Sequence, residues 1–313
     1  MIKSIKVRKT LVWSLKLILF VGVLYFFVLQ FSRLSLSQFQ TIKITRVYFI
    51  FVVLILLPFN WGLELLKWKH ILKVNNIHVS LKTLVYSLFS GVTTGIITPN
   101  RIGNFIGRML FFKGKVRAQL ILGTLYSNFS QFLVTVIFGA FSFLTLHSFI
   151  FESYGTSIVN TVWVISFISI VFYFLVPFIS FPQLKILNKK WNVLNHFQKY
   201  SKKLVFPLFI YSSMRYLVFT FQFLLMLMAF GEEPSFNLYT GIFMLYFIST
   251  LTPSLIFGKL IVRETVGLVI LSFFIDNDAV IVVSSLLLWF VNLGVPSLIG
   301  LFFIIRKKSL VNG

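Results

Sequence analysis

The sequence predicts an all-α polytopic membrane protein of about six full spans and two hairpins broken at Thr-Pro, arranged as an inverted repeat. Three observations carry that expectation. Of 313 residues, 58% are hydrophobic and 12% charged, with mean hydropathy +0.94, more apolar content than a soluble domain accommodates. Apolar runs long enough to cross a bilayer recur along the chain. Two apolar regions are interrupted near their middle by Thr-Pro, followed in each case by Gly and then Arg.

Taken in order, the chain opens with Lys3, Lys6, Arg8 and Lys9 ahead of an apolar run over 11–31. No small-residue cleavage site follows, so this is read as a retained first span and not a cleaved signal. Further spans are expected at 47–66, 118–146, 158–180, 205–230 and 279–305. The two broken regions are 83–112 and 237–275. Their first legs, 83–98 and 237–252, are 16 residues each, roughly 24 Å of helix and short of a full crossing. They are read as re-entrant hairpins, with two tilted full spans as the alternative.

Basic residues orient the threading. Segments 1–9, 67–82, 113–117, 185–203 and 306–308 hold 20 of the 29 Lys and Arg, whereas 32–46, 147–157, 231–236 and 276–278 hold three. Glu152, Glu232, Glu233, Asp276 and Asp278 all fall in the second set. This places both termini in the cytoplasm, with the first hairpin opening toward the cytoplasm and the second toward the outside. The net charge of +22 is then a topology signal and a contact for anionic lipid heads at the cytoplasmic face; no nucleic acid is needed to explain it.

The first broken region reads Thr98-Pro99-Asn100-Arg101-Ile102-Gly103-Asn104-Phe105-Ile106-Gly107-Arg108. Thr98 is expected as an N-cap and Pro99 as the first helical residue. From there Arg101, Asn104 and Arg108 share one face, and Ile102, Phe105, Ile106 and Met109 the other. A helix start beside guanidinium groups suits an anion. The second region, from Thr252 and Pro253 through Gly258 to Arg263 and Glu264, repeats the pattern, with Arg five residues after Gly in both. Three spans separate the two regions, so halves of about 1–150 and 155–313, within one domain of residues 1–313, are inverted relative to each other. Inverted repeats with broken helices are a recurrent transporter plan, with substrate held where the breaks meet.

The Pro-x-Arg-Ile-Gly at Pro99–Gly103, the Gly-x4-Arg-Glu at Gly258–Glu264 and the closing Leu-Leu-Trp-Phe-Val-Asn-Leu-Gly-Val-Pro at 287–296 resemble the lysylphosphatidylglycerol synthase transmembrane-region family, whose members are also called flippase-like domain proteins. The resemblance spans nearly the whole chain. It implies an inner-membrane protein related to the part of the multiple peptide resistance factor that flips aminoacylated phospholipid. The soluble aminoacyl-transferase domain of those enzymes has no counterpart in this sequence. One position departs from the family pattern, which has Glu where this chain has Asn104.

Charges inside apolar segments are Lys16, Glu64, Arg101, Arg108, Arg215, Lys259, Arg263 and Glu264; each needs a partner or a wet cavity. Lys16 is expected to snorkel and Glu64 to form a surface pair with Lys67. Arg215, mid-span, is expected to pair with Glu264 or a lipid phosphate. Arg263 and Glu264, being adjacent, are expected to face different directions. Asn128, Gln131 and Asn292 are expected to make interhelical hydrogen bonds. There is no Walker loop, no cysteine and no metal-ligand spacing among the four histidines, so no cofactor is expected.

Together these readings point to a translocase for an anionic or lipid-linked headgroup and not to an enzyme. The expected headgroup-binding residues are Thr98, Pro99, Arg101, Gly103, Asn104, Arg108, Arg215, Thr252, Pro253, Gly258, Arg263 and Glu264. Two alternatives belong to other classes. One is a membrane-embedded headgroup transferase using Glu264 as base. The other is a non-catalytic scaffold for a separately encoded lipid-modifying enzyme.

Overall fold

Among the described residues the apolar runs fold as helices, and four of these are long and apolar enough to cross a membrane: Tyr48–Val74, Gln119–Leu146, Lys202–Ala229 and Asp278–Arg306. The structure, a computed structural model, describes residues 34–98, 101–112, 116–150, 155–175, 188–252 and 258–311, with isolated positions between 21 and 32. The expected first span at 11–31 lies almost wholly outside the described residues. The expected span at 158–180 is described only as far as Leu175, as a shorter apolar helix over Asn160–Leu175.

In chain order the elements are α1 (Leu36–Thr41), α2 (Tyr48–Val74), α3 (Leu81–Ile96), α4 (Gly103–Met109), α5 (Val116–Ile150), α6 (Gly155–Leu175), α7 (Asn188–Ala229), α8 (Phe236–Leu251), α9 (Gly258–Leu271), α10 (Asp278–Trp289), a π-helical turn (Phe290–Gly294) and α11 (Val295–Val311). No strand occurs among the described residues. The π turn precedes Pro296, which has no N–H to give to the carbonyl four residues back, and the Val295 N–H reaches Phe290 O instead.

The hairpins are α3–α4 and α8–α9. Their first legs are built alike. Each is 16 residues long and opens on a serine cap, Ser80 accepting from the Thr83 N–H at 3.2 Å and Ser235 from the Leu238 N–H at 3.0 Å. Each ends ahead of a Thr-Pro. The second legs have 7 and 14 residues, roughly 10 and 21 Å, and neither equals the ~30 Å hydrocarbon core.

The helices that follow the hairpins pack crosswise. α5, after the first hairpin, lies on α8 of the second; α11, near the end of the chain, lies on α3 of the first. Both crossings use glycine. A Cβ on Gly139 would overlap the Phe247 ring, and one on Gly300 would overlap the Phe89 carbonyl and Thr93. Thr93 then donates to the Ser297 carbonyl at 2.6 Å. α2 and α7 pack on each other along the middle. Two large apolar cores and a smaller cluster of Val134, Tyr216 and Phe243 result among the described residues. One large core is centred on Trp68, Leu88, Leu120 and Leu208, and the other on Phe223, Leu245, Leu271 and Ile281.

Candidate functional site

A cavity of about 640 Å³ takes its lining from both hairpins and from α2, α5, α7 and α10. The first hairpin contributes Arg101, Asn104 and Arg108, and the second contributes Thr252, Leu260 and Arg263. Arg215 comes from α7, and Asn60, Trp61, Glu64 and Lys67 from α2. Asn128 and Gln131 of α5 and Asn292 of the π turn complete the polar wall, while Phe132, Phe219, Leu251, Leu288 and Leu293 supply apolar surface.

The first Thr-Pro turn differs in detail from expectation. The helix begins at Gly103 and not at Pro99. The residue before a proline is pushed away from helical geometry, and the chain reverses through Arg101, which has φ +57°. Thr98 still caps, from five residues back: its Oγ1 accepts the Gly103 N–H at 2.7 Å. A non-glycine residue at positive φ is uncommon and strained; here it falls on a residue that lines the cavity. Gly103 and Gly107 let α4 lie directly on α3, since a Cβ on either would overlap Thr94, and on Gly107 also the Ser90 carbonyl. Thr98 and Gly103 therefore shape the turn without lining the cavity. Pro99 and Pro253 lie outside the described residues, and Gly258 is described only as the first residue of α9.

The expected polar face of α4 is present, with Arg101, Asn104 and Arg108 lining the cavity. The expected apolar face is divided: Ile102 and Ile106 are exposed and Phe105 is half-buried, whereas Met109 is buried in the core around Trp68. Asn104 Oδ1 accepts from Arg108 Nε at 2.7 Å. Thus Asn104 fixes the Arg108 side chain as a neutral acceptor.

Three expectations about charged partners are corrected. Glu64 and Lys67 are not a surface pair. α2 continues to Val74, so both side chains lie inside the bundle, 6% and 2% exposed. The partner of Arg215 is not Glu264 but Glu64, at 3.5 Å; α7 packs on α2, which brings the two together. Arg263 and Glu264 do not part company. The long arginine side chain folds back so that Nη2 donates to Glu264 Oε1 at 2.8 Å and to the Ser285 carbonyl at 2.8 Å. Glu264 also accepts from Ser285 Oγ at 2.8 Å and does not line the cavity.

Glu64 is the hub that sequence reasoning missed. Its Oε1 accepts from Arg108 Nη2 at 2.7 Å, and its Oε2 faces Lys67 Nζ at 3.3 Å and Arg215 Nη1 at 3.5 Å. Two tryptophans back this cluster. Arg108 lies over the Trp68 ring at 5.1 Å and Arg215 over the Trp61 ring at 5.5 Å, geometry that favours a cation in a dry setting. The signal was present in helical spacing: Asn60, Glu64, Lys67 and Ile71 recur at four, three and four residues and so share one face.

Arg101 stands apart. Among the described residues it has no ion-pair partner, and its electrostatic neighbours are two further cations, Arg215 and Arg263. Asn292 makes an interhelical bond, as expected, accepting from Asn60 Nδ2 at 2.9 Å and donating to Gln222 Oε1 at 3.1 Å. Gln131, by contrast, leaves both amide atoms without partners at the cavity wall.

No curated protein and no solved structure matches the chain. The sequence does match the lysylphosphatidylglycerol synthase TM region, over residues 13–300. With its long apolar helices, this multi-pass membrane protein belongs to that flippase-like family.

Proposed function

We propose that the protein moves a lipid with an anionic or lipid-linked headgroup across the cell membrane by alternating access. One observation carries the reading. Both Thr-Pro hairpins deliver arginines to one cavity, and Arg101 has no counter-anion there. Arg101 is exposed to the cavity, and a cation inside a membrane-spanning bundle without a partner is costly, so the site suits a substrate that supplies the missing negative charge. Apolar lining beside the polar wall gives acyl or prenyl chains a path toward the bilayer.

The paired construction of the hairpins, their crossed packing and the central α2–α7 contact support two inverted halves rocking about the cavity. Charge distribution supports cytoplasmic termini and anionic lipids at the cytoplasmic face. The energy would come from a gradient or from consumption of the moved lipid by a separately encoded lipid-modifying enzyme. The transferase alternative gains nothing from the geometry, because Glu264 faces Arg263 and Ser285 and does not line the cavity.

The test is reconstitution. Vesicles containing the protein should move a headgroup-labelled anionic lipid between leaflets; Arg101→Ala should abolish this while leaving the thermal melt unchanged, and Arg263→Ala should abolish it with a lowered melt, because Glu264 loses its partner. Undiminished movement in both variants would overturn the assignment.

A further inference from the structure

The charge count in the cavity narrows the headgroup further, and this step rests on the translocase reading. Five basic side chains line the cavity, Lys67, Arg101, Arg108, Arg215 and Arg263, against one carboxylate, Glu64. Glu64 is shared by Lys67, Arg108 and Arg215, while Glu264 balances Arg263 from outside the cavity. That cluster keeps two surplus positive charges, and Arg101 adds a third. No other acid is placed to cancel them: the chain has seven, and the remaining five, Glu152, Glu232, Glu233, Asp276 and Asp278, fall between the apolar segments.

The cavity wall also offers hydrogen-bond donors. Arg215 Nε, Arg263 Nε, Trp61 Nε1 and Gln131 Nε2 are buried donors without acceptors on cavity-lining residues, beside the acceptors Asn60 Oδ1, Glu64 Oε2 and Gln131 Oε1, which likewise lack hydrogen-bond partners. Buried donors demand acceptors. Lys67 and Arg108 are nearly inaccessible, with side chains 2% exposed, which leaves Arg101, Arg215 and Arg263 to meet a ligand.

A phosphodiester headgroup would bring one negative charge to three surplus positive ones. An aminoacylated headgroup would add an ammonium to a cavity already in positive surplus, whose one carboxylate, Glu64, already faces three cations. A terminal phosphate carries about 1.5 to 2 negative charges near neutrality with three strong acceptor oxygens, and guanidinium forks match it. We infer that the cavity is built for a phosphomonoester or diphosphate end, held by Arg101, Arg215 and Arg263, and that it discriminates against aminoacylated phospholipid.

The chemistry could come from a lipid or from a free anion, and native mass spectrometry of the full chain separates them. Three probes share the same acyl chains: phosphatidic acid, phosphatidylglycerol and lysyl-phosphatidylglycerol. Inorganic diphosphate is the soluble probe. Phosphatidic acid should be retained about tenfold over phosphatidylglycerol, with the lysyl ester weakest. Arg101→Gln should erase the preference. So should Asn104→Asp, which adds a carboxylate beside Arg108 without removing a cation and so guards against a misfolded variant. Equal or reversed retention in the wild type, still sensitive to Arg101→Gln, would overturn this inference and leave the translocase reading standing. Retention indifferent to both variants would overturn the cavity as the headgroup site. Diphosphate binding with no lipid retained would support the phosphate chemistry and overturn the lipid source.

Discussion

Arg108 Nη2 donates to Glu64 Oε1 at 2.7 Å, joining the first Thr-Pro hairpin to α2 through a bond in which both side chains are nearly inaccessible. Lys67 and Arg215 complete the cluster from α2 and α7. Removing its single anion leaves three cations facing one another. Glu64→Gln should therefore lower stability by about 3–5 kcal/mol, the cost of breaking a buried pair. The measurement is thermal or denaturant unfolding in detergent; a loss below about 1 kcal/mol would mean that water reaches the cluster.

Much of this site was legible in the sequence, for identifiable reasons. Thr98-Pro99 and Thr252-Pro253 mark breaks because proline cannot continue a helix, and spacing alone placed Arg101, Asn104 and Arg108 on one face. The partners of these residues were not legible. Glu64 looked like a surface residue because Lys67 and Lys69 resembled the start of a loop, whereas α2 continues to Val74. Arg215 was matched with the wrong carboxylate because pairing between distant segments depends on α7 packing against α2, which no local pattern encodes. The left-handed backbone of Arg101 was hidden too, since only the closed α3–α4 hairpin requires it.

That hairpin depends on Gly107. A Cβ there meets Thr94 and the Ser90 carbonyl, and backbone cannot move aside cheaply. Gly107→Ala should cost about 1–3 kcal/mol as overpacking and should loosen Arg108 from Glu64. Gly62→Ala is the control: nothing lies near its Cβ, and alanine favours helix over glycine by up to about 1 kcal/mol. Melting temperatures of the two variants should move in opposite directions.

The amide cluster of Asn60, Gln222 and Asn292 ties α2, α7 and the π turn together, and Gln222 also donates to the Val53 carbonyl at 2.9 Å. Asn292→Ala leaves Asn60 Nδ2 and Gln222 Oε1 with only their long 3.5 Å contact to each other, which should cost about 1–3 kcal/mol. Equilibrium unfolding reads this directly. The double variant Asn60→Ala with Asn292→Ala should cost less than the sum of the singles.

Outside the membrane-spanning segments, burial and the nearby Asp276 charge raise the Glu232 carboxyl above the ordinary glutamate value. A carboxyl raised in the folded state favours folding at low pH, and that contribution is lost as pH rises through the folded value. Glu232→Gln should accordingly match wild-type stability in acid and exceed it slightly at neutral pH. Melting curves at pH 4 and pH 7 check the sign.

The central claim is that one cavity serves both sides of the membrane. The chain has no cysteine, so a single Gln131→Cys, at a side chain whose amide has no partner at the cavity wall, reports access without background. In oriented vesicles, a membrane-impermeant maleimide should label this position from either side, and excess phosphatidic acid should slow both reactions. Labelling from one side only, unchanged by lipid, would contradict alternating access through this cavity.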